Sequence, residues 1–277
     1  MNEDGSIPFL GLITALEAET RTLCGKARSI STPPFRRNEF EFEGARVVCL
    51  QCGPGPERSL AAARALVREG AGMLLCSGVS GGLDPEVRSG DLILTEGCML
   101  AEEEMPLPIP TPRQELAADA ADALEQAGIS VLVRPILTTR APLLDMDRKT
   151  RWFAVSGAAS VDMESAGTAL AAMEADLPFL ALRAICDPAD RPIPPEMLTA
   201  CSPDGGVKLG GLFRGILRRP RLLGELWRTG RDYSRALDAL AKARAPLFRF
   251  CLTVMSGNVM AQDNADADSG AANPPLQ

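Results

Sequence analysis

The chain contains no histidine. That absence excludes a Ser-His-Asp or Cys-His nucleophile pair and any histidine-ligated metal. Aromatic residues make up only 4% of the 277 residues, with a single tyrosine, Tyr233. There is no run of eighteen or more uncharged apolar residues, so no transmembrane helix is expected. The opening "MNEDGSIPFL" is acidic and lacks a basic region, so no signal peptide is expected either. Proton transfer, if the protein is an enzyme, falls to Asp, Glu, Lys, Cys or the lone Tyr. Acids are the first candidates.

What remains is ordinary globular composition. The chain is 46% apolar and 23% charged, with a formal net charge of −7. Eight cysteines, mostly inside apolar runs, fit a reduced, cytoplasmic setting. Cys49 and Cys52 form one isolated CxxC, with no second pair at metal-ligand spacing. They read as small buried hydrophobes, and neither a metal nor a cofactor is expected.

The pattern predicts strands alternating with helices. Residues 7–16 read as a buried strand, and 57–70 as a helix ending on glycine. A second buried strand over 71–78 is expected to close in a glycine-rich turn, "GVSGGL". Strands follow at "GDLILTEGCML" and "ISVLVRPILTT", and helices at "PRQELAADAADALEQAG" and 163–175. The most hydrophobic strand is 177–186. Near-continuous apolar strands between helices predict an α/β three-layer sandwich, with a mixed, largely parallel sheet between helices. One catalytic domain over 1–250 is expected, followed by a polar, disordered tail over 251–277.

Acids stand at the ends of these apolar elements: Glu17 and Glu19, Asp162 and Glu164 in "VDMESAG", and Asp187. Ligands gather beyond the carboxyl ends of strands in such sheets. Backbone N–H groups with several carboxylates suit a sugar joined to a basic heterocycle. Each piece also has a plain reading. Asp162 and Glu164 could serve a helix N-terminus, and Asp187 could cap a turn.

Four stretches in order, "GLITALEAE", "CGPGPERSLAAA", "SGVSGGLDPEVRSGDLIL" and "VDMESAGTALAAMEADLPFLALRAICDPAD", resemble the nucleoside phosphorylase family. The similarity covers residues 8–200 and is to the methylthioadenosine/adenosylhomocysteine nucleosidase branch. Within that branch the chain looks most like the hopanoid-biosynthesis members, which remove adenine from adenosylhopane. The resemblance implies that Asp187 protonates the purine N7 and that Glu19 deprotonates the attacking water. It gives Glu164 and Met163 to the ribose, with Asp162 beside them, and Arg183 to the nucleophile side. Gly78, Val79 and Ser80 fall in the turn supporting ribose and nucleophile, and Pro142 and Leu143 at the purine edge. A homo-oligomer is also implied.

The chemistry suits acids. Breaking an N-glycosidic bond leaves a cationic sugar and an electron-rich base that needs a proton. A carboxyl at the end of a buried strand has its ionised form disfavoured by desolvation. Phosphate is the alternative nucleophile, giving a sugar 1-phosphate. The arginine that would clamp it falls at Cys76, and Glu17 and Glu19 repel a dianion. Arg183 and Arg58 remain as cations, and water is favoured. Three positions depart from the branch. Pro142 stands where a phenylalanine stacks on the purine, Val79 replaces a serine, and Cys186 replaces the serine before the catalytic aspartate. A nucleoside-binding module without catalysis is the non-enzyme alternative.

Residues 205–244 carry ten Lys and Arg against three Asp and Glu. Leu212, Phe213, Ile216, Leu217, Leu222, Leu223, Leu226 and Trp227 supply an apolar side. Two helical stretches around Pro220 are expected, either lying on an anionic membrane surface or covering the core. Nucleic acid is not the expected partner of so acidic a chain.

Overall fold

The computed structural model describes residues 9–192 and 222–269. Its strands are β1 (Phe9–Thr14), β2 (Arg28–Thr32), β3 (Phe35–Phe42), β4 (Ala45–Gln51), β5 (Ala71–Gly82), β6 (Leu92–Glu102), β7 (Met105–Ile109), β8 (Leu132–Thr138), β9 (Ser160–Asp162) and β10 (Phe179–Asp187). Its helices are α1 (Glu17–Cys24), α2 (Pro56–Arg68), α3 (Leu116–Gln126), α4 (Met146–Ser156), α5 (Ser165–Glu174) and α6 (Leu222–Ser269).

All ten strands join one mixed sheet in the order β10-β6-β8-β9-β5-β1-β4-β3-β2, with β7 on β6. The centre is parallel: β1 pairs β4 and β5, and β5 pairs β10. β8 runs parallel to both β6 and β9. Antiparallel pairs form the β2–β3–β4 margin and the β6–β7 hairpin. Because β5 pairs β9 as well as β10, the sheet curls and closes on itself at that end. The sandwich reading did not foresee this closure.

Apolar strands need cover on both faces. One face packs Leu10, Leu12, Met73, Leu75, Leu182 and residues of α1, α3 and α6. The other packs Ile13, Leu74, Cys76, Ile185 and residues of α2 and α5. Cys49 lies in the first cluster and Cys52 in the second, so the CxxC thiols point to opposite sides of the sheet and cannot act as a pair. A third cluster, with Leu137, Leu143, Trp152 and Val161, seats α4.

Two expectations need correction. The 78–82 stretch is no turn; β5 continues through it to Gly82. The stretch from 251, expected as a disordered tail, begins as helix, with α6 extending to Ser269 and Cys251 and Met255 buried in the core. Further back on α6, Ala236, Leu240, Ala243 and Leu247 are also buried, so this half of the basic segment covers the sheet. The first half, including Pro220, lies outside the described residues. Among the described residues no helix is long and apolar enough to cross a membrane.

Candidate active site

The acids meet at the carboxyl ends of β1, β5, β9 and β10, around a cavity of ≈ 160 Å³. Glu19, Val79, Ser80, Leu143, Met163, Glu164 and Asp187 all line it, as do Pro142 and Cys186. Among the described residues lining it there is no basic side chain.

Glu19 is placed by its own helix. It is the third residue of α1 and reaches back to the orphan N–H groups before the first turn. Its Oε2 accepts from Ala15 at 3.0 Å and Leu16 at 2.8 Å, and its Oε1 accepts from Val79 on β5 at 2.9 Å. Burial pushes its pKa above the usual carboxylate value, opposed by the Arg183 guanidinium and these N–H donors. A carboxylate held by backbone donors yet made more basic by desolvation suits a general base.

Glu164 precedes α5, and its Oε1 accepts from Gly55 N–H at 3.3 Å. Burial lifts its pKa to about 8, against the pull of Arg183 and with the push of Asp162 and Glu19. The unfolded carboxyl, near 4.5, has lost its proton by neutral pH, whereas the folded one keeps it. Folding therefore takes up a proton between these values. The contribution of Glu164 to stability should be fullest below about pH 4.5, fall as pH rises, and level off above about 8. The loss is expected to reach a few kcal/mol. Thermal melts of wild type and Glu164→Gln across this range check it. The Gln variant should lose most of the slope between pH 5 and 8, and an unchanged slope would assign it elsewhere.

Asp162 and Arg183 differ from expectation. Asp162 borders the cavity, but through its main chain, because its side chain is 0% exposed. The Arg183 side chain is also 0% exposed and is not part of the lining. Asp162 accepts from Thr138 Oγ1 at 2.7 Å, from the Ser165 N–H at the start of α5, and from Ser165 Oγ. That is the helix-terminus role left open by the sequence. Arg183 lies behind the cavity, 2.7 Å from Asp162 and 3.4 Å from Glu164, and donates to Cys76 Sγ at 2.9 Å. Burial raises the Cys76 thiol to about 12, so it stays neutral. One guanidinium thus serves a group of buried acids. Removing it would leave buried charges uncompensated.

Gly78 also lies behind the cavity wall. A Cβ there would stand 2.5 Å from Glu19 Oε1 and 2.8 Å from Arg183 Nη1. At Gly81 it would stand 2.8 Å from Asp187 Oδ2. These glycines leave room for the acids to approach β5, a close-approach role rather than a turn.

Asp187 ends β10. Its Oδ1 is 3.1 Å from Cys186 Sγ, and its Oδ2 accepts from Lys149 Nζ at 2.6 Å. Lys149 was not foreseen. It sits on α4 in "MDRKTRWF", where charged neighbours give the pattern of an exposed helix. No periodicity singles it out; only the packing of α4 over the end of β10 buries it.

A family model described as Phosphorylase superfamily matches residues 10–218. No curated protein sequence matches the chain. Futalosine hydrolase from Helicobacter pylori superposes with a TM-score of 0.66 at 16% identity, covering 89% of this chain and 98% of that one. The 5'-methylthioadenosine/S-adenosylhomocysteine nucleosidase of Neisseria meningitidis, in complex with methylthio-immucillin-A, gives a TM-score of 0.66 at 18% identity, covering 87% and 99%. A point mutant of the Helicobacter pylori nucleosidase, with 5'-methylthioadenosine in its active site, gives 0.64 at 16%, covering 91% and 100%. These likenesses match the curled mixed sheet between two helical layers, and the family match runs from β1 past β10. The chain belongs to the phosphorylase superfamily.

Proposed function

We propose that the protein hydrolyses the N-glycosidic bond of a 5′-substituted 5′-deoxyadenosine and releases adenine. One observation carries the reading: Glu19, Glu164 and Asp187 converge on a single cavity whose described lining holds no basic side chain. Such a lining turns carboxyl oxygens toward a cationic sugar and offers a phosphate dianion no counter-charge. Arg183 is spent on buried acids, and Arg58 is exposed with its Nε donating to the Cys52 carbonyl at 2.5 Å. Water is then the nucleophile and Glu19 its base. Glu164 and Met163 face the sugar, and Asp187 stands at the base with Pro142 and Leu143.

Adenosylhopane is the substrate we favour. It is suggested by the resemblance noted in the sequence and by the basic, apolar 205–244 segment. A hydrocarbon of that kind is met at a membrane surface. Trp227, 66% exposed and stacked by Arg231 at 4.9 Å, would suit such a surface.

The test is adenine release from methylthioadenosine and from adenosylhopane, each with and without phosphate. Release in phosphate-free buffer with free sugar as product is expected. An absolute phosphate requirement with a sugar 1-phosphate product would establish phosphorolysis instead. Faster turnover of methylthioadenosine than of adenosylhopane on anionic vesicles would remove the lipid substrate and leave the hydrolytic reading standing.

A further inference from the structure

Lys149 has no exposed surface, and its Nζ reaches more than the loop that follows β10. It donates to the Pro188 carbonyl at 3.0 Å and lies 3.3 Å from the carbonyls of Asp187 and Arg191. These contacts hold the loop. The 2.6 Å contact to Asp187 Oδ2 is the shortest of the set, and it goes to a side chain that lines the cavity.

We propose that Lys149 is the proton source behind Asp187 in departure of the base. The inference rests on the glycosidase reading above. An amine and a carboxyl at this distance share one labile proton. Written on nitrogen it gives ammonium and carboxylate; written on oxygen it gives amine and carboxylic acid. Both forms are neutral as a pair, so moving the proton between them places no net charge in a dry site.

As the C1′–N9 bond breaks, its electron pair passes into the purine. The proton moves from Lys149 Nζ to Asp187 and from Asp187 to N7. A neutral amine and a carboxylate remain. The sugar cation takes hydroxide from the water, whose other proton passes to Glu19. The site's total charge is unchanged, since Glu19 gains what the pair has lost. After products leave, Glu19 gives its proton to solvent and solvent returns one to the pair, so the cycle closes with no net proton taken up. Lys149 acts through Asp187, so it is a positioning and proton-holding residue.

The experiment compares methylthioadenosine with its N7-methylated form, in which N7 is already cationic and needs no proton. Lys149→Met should lower turnover of methylthioadenosine about a hundredfold with KM within about threefold, the scale of losing acid assistance. It should leave turnover of the N7-methylated form within about threefold of wild type. Lys149→Arg keeps a cation but holds its proton tightly, so it should also lose at least about tenfold on the unmethylated substrate. If the Met variant does not fold, the Arg variant carries the same two-substrate ratio. Equal losses on both substrates would make Lys149 a structural support. Full activity of Lys149→Arg would leave charge, not the proton, as its contribution, and unimpaired Lys149→Met would remove any role. If wild type releases base from neither, adenosylhopane on anionic vesicles and its N7-methylated form replace them in the same comparison. Wild type inert on all four overturns the glycosidase reading and the relay with it.

Discussion

Replacing Asp187 with Asn is expected to slow adenine release by roughly two to four orders of magnitude while changing KM little, because the variant keeps the shape but cannot pass a proton. The structure adds a second expected effect. Lys149 Nζ sits 2.6 Å from Oδ2, and an amide in place of the carboxylate leaves a buried ammonium without its counter-charge. Breaking one side of such a pair costs about 3–5 kcal/mol. Asp187→Asn should therefore melt well below wild type. Adding Lys149→Met should restore much of that stability and none of the activity. Kinetics and melts of the two single variants and the double variant give the full cycle. Near-wild-type turnover of Asp187→Asn would take Asp187 out of the mechanism.

Glu19→Gln is expected to have the next largest effect. Both oxygens of Glu19 accept backbone N–H groups: Ala15 and Leu16 on Oε2, and Val79 on Oε1. A glutamine has one acceptor end and one donor end. Turned toward Val79, its NH₂ opposes one backbone donor; turned the other way, it opposes two. The first orientation is cheaper and still orphans the Val79 N–H, at roughly 1–3 kcal/mol. The base is lost as well, and turnover in phosphate-free buffer should fall by roughly 10²–10³-fold. Melting and turnover measured on the same preparation separate the two losses. A stable variant of full activity would show that Glu19 neither activates water nor joins α1 to β5.

The acids were legible in the sequence for a simple reason. Each ends an apolar element, and a charge there marks a strand leaving the core. Glu19, Glu164 and Asp187 all line one cavity. Asp162 followed the same local pattern, yet its carboxylate turns away to Thr138, Ser165 and Arg183. Spacing cannot say which of two neighbouring acids faces a ligand. The glycines of β5 were visible but misread, because a residue without a side chain can signal a turn or a crowded neighbour. The neighbours, Glu19 and Asp187, lie 59 and 106 residues away from Gly78 and Gly81 along the chain. Lys149 was illegible on the same ground: its partners belong to β10 and the loop beyond it. The helix continuing past 251 was hidden because its short apolar start, with Cys251 and Met255 buried one helical turn apart, runs into a long polar stretch without periodicity.

The placement of β10 sets an order of events during synthesis. β10 lies between β5 and β6, parallel to one and antiparallel to the other. Until residues 179–187 leave the ribosome, β5 and β6 each present an unpaired edge, and such edges are where nascent chains associate wrongly. The last strand to emerge closes both edges at once, and it brings Asp187 with it. A partly made chain can already carry Glu19 and Glu164, but it has no finished pocket in which to use them. α6, made after it, then packs on β10 and its neighbours through Ala236, Leu240 and Ala243. Completion of the sheet and completion of the reactive centre are thus one and the same step.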